Sequence, residues 1–412
     1  MKYLKLLSLT ISALLFFAAS QAHAIERRQP QFKSDSSYLI LPVPYAVPGV
    51  GEGIAYTAMA GNFADTYMDV VAMRATGAGE GTFLGLYDLH LIPEFLIVGY
   101  DYLDVSQFTL RNYSQRGIKG EADDYTLLAL DNLKESLLDV RVTLFERRLE
   151  AFYKHFKNET TIGKILDNEG EVQTTFENPS PQASEKTIQG VIVDYTDDYL
   201  DPREGIRFES QVSHSPRVND NLADYNIRDQ KLNLYIPVGK DSVWAFHASA
   251  SDSEVTETGQ TDPDEIAQEL GLPCAYASCG QDEQDLVDRM VVERSKGTAT
   301  PLGGMDRLRS YSMDRFQGAH SRYFSTELRV NFANEVKPFD FWIWKDISTS
   351  MQWVLFYDLG TVAEDTRDLW KKSANSTGTG LRMVTASGYV YRADVATGAE
   401  GANVAMVFKY PW

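Results

Sequence analysis

Three observations predict an all-β fold: a transmembrane antiparallel β-barrel of about 16 strands, with one long extracellular loop folded into its lumen. The chain opens on what reads as an export leader. Its later segments alternate apolar and polar residues with a period of two. The polar positions of those segments carry charges of both signs.

The leader comes first. Lys2 and Lys5 give a positive start, "LLSLTISALLFFAA" an apolar core and "AHA" (Ala22 to Ala24) a small-residue cleavage site. The core is short for a span of roughly 20 residues, and the polar "IERRQPQFKSDSS" follows it. Residues 1–24 are therefore read as a cleaved secretory signal, with the mature chain starting at Ile25. No later segment offers an apolar run long enough for a membrane helix. A soluble exported protein and an outer-membrane barrel of a Gram-negative bacterium remain.

Composition narrows the choice. The formal net charge is −19, while Tyr and Phe together outnumber Lys and Arg. Aromatic richness argues against disorder, and acidity against a nucleic-acid partner. The segment from Asp252 to Asp288 is dense in Asp and Glu and reads as solvated loop. It holds the only two cysteines, Cys274 and Cys279, which in an oxidising compartment can close a small disulfide ring. With no further Cys or His ligands nearby, a metal site is not expected.

Residues 25–40 are read as a short periplasmic segment and residues 41–412 as the barrel. "GVGEG" (Gly49 to Gly53) precedes a strand rather than a helix, so it is no nucleotide loop. "NLKESLLDVRVTLFERRLEAFYKHF" (Asn132 to Phe156) fits one amphipathic helix or two strands around "FERR", and two strands suit the barrel. "GIRFESQV" sets Ile206, Phe208 and Val212 against Arg207, Glu209 and Gln211. "SRYFSTELRVNF" sets Phe324, Leu328, Val330 and Phe332 against Ser325, Glu327, Arg329 and Asn331. "QWVLFYDLG" and "YVYRADV" put Asp358, Arg392 and Asp394 on the polar face, and Trp353, Leu355, Tyr357, Tyr389, Tyr391 and Val395 on the other.

A sandwich also alternates, but its polar face meets bulk water. A membrane barrel inverts the arrangement, with lipid outside and a polar lumen, and must close so that no edge N–H or C=O is left in lipid. "LDPREG" (Leu200 to Gly205) and "VGKDS" (Val238 to Ser242) read as tight periplasmic turns; "SPRVNDNLADYN" and the acidic stretch read as outer loops. The terminal "NVAMVFKYPW" continues the outward row through Val404, Met406, Phe408, Tyr410 and Trp412, like a barrel's C-terminal signal.

"LGGMDRLRSYSMDRFQG", from Leu302, places Arg309 in a glycine-punctuated loop. Folded into the lumen, that arginine can reach Glu327, Asp358 and Asp394, and a buried guanidinium needs such acids.

Six segments then carry a resemblance. "LRSY" (Leu308, Arg309, Ser310, Tyr311) resembles the Val-Arg-Gly-Phe/Tyr tip of the sixth extracellular loop of the bacterial surface antigen superfamily. That superfamily includes the BamA and TamA assembly barrels and the two-partner secretion pores. "FYDLG" (Phe356, Asp358, Gly360) resembles its Phe-x-Asp-x-Gly strand, and "GTGLR" (Gly378, Gly380, Arg382) its Gly-x-Gly-x-Arg strand. "DYTDDYLDPREG", "STELR" and "YRADVA" match in the same order. The resemblance implies that Asp358 holds Arg309 in the lumen, with Glu327 as second acid. Ser310 stands where the motif has glycine, a residue that suits tight turns better. Between Ala24 and the first strand there is no room for a periplasmic POTRA domain, so a barrel-only member is expected.

The resemblance implies insertion or export of proteins or lipid through a barrel whose first and last strands pair weakly. Outer-membrane lipid, client proteins and a separate periplasmic partner would be its associates, and Pro411 would weaken the seam. A passive or plug-gated pore is the alternative. The six histidines, His214, His247 and His320 among them, stand in no catalytic or metal spacing, so no enzyme activity and no cofactor are expected.

Overall fold

The computed structural model describes residues 25–412 apart from 33–35, 119, 178, 180, 271, 273, 335–338, 342–343, 348, 386–389 and 409. The leader and Tyr389 lie outside the described residues.

Strands of this chain satisfy their backbone by pairing with neighbours, and sixteen of them form one closed antiparallel wall. They are β1 (Ser37–Val47), β2 (Gly51–Gly61), β3 (Asp69–Gly77), β4 (Glu80–Ile92), β5 (Leu96–Tyr113), β6 (Tyr125–Leu144), β7 (Leu149–Leu166) and β8 (Gln182–Thr196). The second half comprises β9 (Gly205–Ser215), β10 (Asp224–Val238), β11 (Ser242–Glu257), β12 (His320–Asn334), β13 (Thr349–Ala363), β14 (Ala374–Thr385), β15 (Val390–Gly398) and β16 (Gly401–Phe408). Three short strands, Val172–Thr175, Phe339–Phe341 and Trp344–Ile347, sit in connections. The wall begins at Ser37, ahead of the expected boundary at 41, because β1 pairs β2 from Ser37↔Gly61 onward. The segment around "FERR" is two strands, β6 and β7, joined by a left-handed turn at Phe145, Glu146 and Arg147.

Alternation sorts the side chains. On β13, Trp353, Leu355 and Tyr357 are exposed on the outer surface, while Val354, Phe356 and Asp358 are buried in the lumen. Two indoles on the outer face are paired locally: the N–H of Trp244 donates to Thr326 Oγ1 (2.7 Å) and that of Trp353 to Thr379 Oγ1 (2.9 Å). Lipid demands this, since it accepts no hydrogen bond. No helix among the described residues is long and apolar enough to cross a membrane.

The connections are unequal. Those on the rim that carries residues 25–32 are mostly short, whereas the opposite rim holds the β11–β12 loop, residues 258–319. The acidic stretch is not all solvated loop. β11 runs to Glu257, and two helices follow, α1 (Pro263–Glu269) and α2 (Gln281–Lys296). Asp262 caps α1 by accepting from the backbone N–H of Asp264 and Glu265, and Pro263 occupies the first turn, where its missing N–H costs nothing. Ile266, Ala267 and Val287 form a small core between the helices. Cys274 and Cys279 are joined by a disulfide between them. Past α2 the chain turns down into the lumen.

The C-terminal row is a correction. Phe408 ends β16 on the outer face, opposite Tyr391, but Tyr410 and Trp412 do not continue outward. The tail turns inward: the Tyr410 hydroxyl donates to Asp201 Oδ1 (2.6 Å), and Trp412 stacks on His247 at 5.0 Å. Pro411 accordingly lies off the ladder, not in the seam.

Candidate functional site

The descending loop is a hairpin held by reciprocal backbone bonds between Leu302 and Phe316 (both 2.9 Å). Gly303 (φ 114°) would drive an added Cβ to 2.3 Å from the Ser312 carbonyl, so only glycine fits that crossing. Leu308 takes the left-handed conformation (φ 47°), and Leu302, Leu308, Tyr311 and Phe316 cluster with Tyr323 and Val362 of the wall. These contacts put Arg309 at the tip.

Arg309 is fully buried and uses every nitrogen. Its backbone N–H and Nε donate to Asp358 Oδ2 (3.2 and 3.0 Å), and Nη2 donates to Asp358 Oδ1 (2.9 Å). Nη1 donates to Glu327 Oε1 (2.8 Å) and Asp394 Oδ2 (3.1 Å). The guanidinium lies 3.4 Å from the centre of the Phe356 ring, a cation–π contact in a desolvated place. Asp358 is also served by the hydroxyls of Ser325 (2.7 Å) and Tyr323 (3.0 Å).

The surroundings balance this charge. Glu327 receives Arg382 Nη1 (2.9 Å) and Nη2 (2.6 Å), and Arg329 Nε (2.9 Å). Arg392 joins Asp394 (2.9 Å) to Asp306 of the loop (2.7 Å). Four guanidinium groups thus interlock with the carboxylates of Asp306, Glu327, Asp358 and Asp394. Each charge buried in such a place needs its partners, because desolvation alone would cost several kcal/mol.

The motif residues make room for this network. In register, Gly378 faces Phe356, and a Cβ there would lie 2.4 Å from the phenyl Cζ. At Gly380 a Cβ would meet Asp394 Oδ1 at 2.0 Å, and at Gly360 it would meet Leu302 Cδ1 at 2.6 Å. The three glycines clear space for the ring, the acid and the loop leucines. Ser310 causes no strain, for the left-handed residue is Leu308. The Ser310 hydroxyl donates to Ser376 Oγ (2.8 Å), and its carbonyl accepts from Asn403 Nδ2 (2.5 Å). The tip also reaches the β1–β2 turn, where Met313 N–H donates to the Pro48 carbonyl (3.0 Å).

Arg329 and Arg392 were visible as polar-face residues, but nothing in their spacing announced a shared site. A second network, at the rim of residues 25–32, was missed outright. Asp194 accepts from Arg207 Nη2 (2.8 Å) and Thr196 (2.6 Å), and Glu150 accepts from Arg141 and Arg147 (both 2.7 Å). The Tyr199 ring lies between Arg147 (4.0 Å) and Arg207 (4.5 Å). Arg28 of the N-terminal segment donates to Asp197 (3.2 Å) and Asp198 (3.0 Å). "DYTDDYLDPREG" therefore anchors the start of the described chain. Tyr410 and Gln352 link the two networks, since both donate to Asp201. No group of metal-ligating residues occurs among the described residues.

Neither a protein-family model nor a curated protein sequence matches the chain. Its fold is similar to that of CdiB from Escherichia coli (TM-score 0.51, 11% identity, covering 92% of this chain and 67% of that one). BamA from Haemophilus ducreyi lacking POTRA domains 1-3 aligns with TM-score 0.47 and 12% identity, over 93% of this chain and 76% of that one. CdiB from Acinetobacter baumannii aligns with TM-score 0.49 and 9% identity, over 91% and 60% respectively. At these identities the likeness concerns the fold.

Proposed function

We propose that this chain is an assembly- or translocation-type barrel of the bacterial surface antigen superfamily, placed in the outer membrane of a Gram-negative bacterium. It would insert or export client proteins, or move lipid, through the seam between β1 and β16. One observation carries the reading: that seam is barely closed. Along β1 the ladder to β2 is continuous from Ser37↔Gly61 to Val47↔Gly51, whereas among the described residues its pairing with β16 is the single step Ala46↔Met406, and the short strand Trp344–Ile347 meets β1 only at Tyr38↔Lys345.

The residues explain why. The carbonyl of Pro44 accepts from the Tyr391 hydroxyl (2.8 Å), so the edge of β1 that carries it faces the C-terminal strands. Pro42, two residues back, shares that edge, and neither proline has an N–H to donate to a ladder. An apolar cleft of about 230 Å3 runs alongside, lined by Leu41, Val43, Met383, Tyr391 and Phe408. An underpaired edge can template a client strand by hydrogen bonding, and an apolar cleft beside it can take that strand's lipid-facing side chains. In this reading the Arg309 network braces the lumen while the seam works, and no catalytic group takes part.

A lock tests it. Ala46 and Met406 are register partners, close enough for a disulfide once both are cysteines. In liposomes, Ala46→Cys/Met406→Cys should lose client insertion when oxidised and regain it on reduction. The parent chain, treated with the same reductant, controls for Cys274–Cys279. Insertion that proceeds equally in the locked barrel overturns the proposal. The second reading, a plug-gated pore, is favoured by the partly exposed Asp101, Asp139 and Lys154 on the lumen face of β5–β7. It requires conductance that rises in Arg309→Ala with no client insertion by the parent chain.

A further inference from the structure

Apart from the seam and the arginine network, the lumen holds a cavity of about 340 Å3 between the β9–β12 wall and the descending loop. Three buried N–H groups on its lining have no hydrogen-bond partner among the described residues: Nε of Arg207, Nε of Arg307 and the indole Nε1 of Trp412. Arg307 also makes no ion pair among the described residues, unlike Arg309 and the three arginines around it. The acids of the lining are already supplied. Lys231 donates to Glu209 (2.8 Å), Gln211 and Thr300 donate to Asp229 (3.0 and 2.8 Å), and Arg392 donates to Asp306 (2.7 Å). What the cavity lacks is acceptors.

Its geometry is fixed. Trp412 stacks on His247 at 5.0 Å with the Arg329 guanidinium 4.9 Å from its ring centre, and His247 Nδ1 lies 2.5 Å from Asn233 Oδ1. The hydroxyls of Ser249, Ser251 and Ser321 and the amide of Asn233 complete a polar wall. The volume falls within the range of roughly 300–1,000 Å3 usual for small-molecule sites, more than a bare phosphate needs.

We propose that this cavity binds a small water-soluble anion on a hydroxylated carrier, with a sugar phosphate as the class that fits. Arg307 receives the anion in a charge-assisted pair, the Trp412 and Arg207 N–H groups donate to further oxygens, and the serine wall takes the hydroxyls. A lipid headgroup carries the same chemistry, but the ladders from β9 to β12 behind the cavity are continuous and leave no passage for acyl chains.

The test is calorimetric titration of the full chain in a polyoxyethylene detergent, which has no sugar headgroup to compete. Glucose 6-phosphate, glucose and inorganic phosphate are the probes. Glucose 6-phosphate should bind about tenfold more tightly than either fragment. Arg307→Gln should weaken it about tenfold and Trp412→Phe about threefold, with Arg307→Lys retaining part of the affinity. Asp368→Asn, in the β13–β14 loop, should leave it unchanged. Heat-modifiable gel migration verifies that each variant is a folded barrel. No saturable binding up to about 10 mM, or binding that survives both Arg307→Gln and Trp412→Phe, overturns the proposal. So does equal displacement of the sugar phosphate by phosphatidylglycerol vesicles, which would assign the site to a headgroup.

Discussion

The lumen faces of β5–β7 and of β12–β15 obey the same alternation and carry the same kinds of residue, yet they enclose different media. On the first, Asp139 meets Arg141 (2.8 Å) and Lys154 (3.3 Å) with side chains 20%, 16% and 26% exposed. On the second, Arg309, Glu327 and Asp358 are wholly covered. The wall is not what separates them. The β11–β12 loop covers the charges around Arg309 and touches only the upper end of β5, at Arg111 and Tyr113, so ion pairs of one chemical type stay partly hydrated at Asp139 and are desolvated at Arg309. Charge alternation along a strand locates the lumen, and the occupant of the lumen sets what each charge contributes.

The comparison breaks most readily at Arg309. Arg309→Ala should destabilise the barrel by roughly 3–5 kcal/mol, since it leaves Asp358 and Glu327 buried without their partner, and should open the loop to external protease. Asp139→Ala, at the partly hydrated pair, should cost no more than about 1 kcal/mol. Equal losses in urea unfolding into vesicles would remove the distinction between the walls. A smaller effect sharpens it: Gly378→Ala should cost about 1–3 kcal/mol by forcing the Phe356 ring off the guanidinium. Gly99→Ala, where a Cβ meets nothing nearer than the Leu86 carbonyl at 3.3 Å, should change stability by under about 1 kcal/mol. The smallest change concerns Ser310. If serine were strained at the tip, Ser310→Gly would stabilise. We expect the opposite sign, a loss of about 0.5–1.5 kcal/mol from the missing bond to Ser376, read as a lower unfolding midpoint.

The legible parts of the fold were those where a side chain has only two environments to choose between. Along β12, β13 and β15 a residue faces lipid or lumen, so period two sorted Trp353 from Asp358 and Phe324 from Glu327 without any tertiary knowledge. Arg309 stood out because an arginine among glycines and leucines in a loop has few ways to stay solvated. Alternation holds only while a ladder lasts, however, and nothing in "FKYPW" marks where pairing with β15 stops. Tyr410 and Trp412 were therefore assigned outward by extending a pattern that ends at Phe408. The acidic stretch was read by its charge density, although Asp262-Pro263 already offered a capped helix start. Arg27 and Arg28, in the short periplasmic segment, carry no local mark of a site because their partners lie about 170 residues away. The two seam prolines were visible in "LILPVPYAV", but their meaning depends on which edge of β1 they face.

The hydroxyl contact between Tyr410 and Asp201 joins positions 209 residues apart. Closing a loop of that length carries an entropic cost that the contact must offset. The same carboxylate accepts from Arg28 Nη2 (3.4 Å), so one side chain fastens the tail to the start of the described chain.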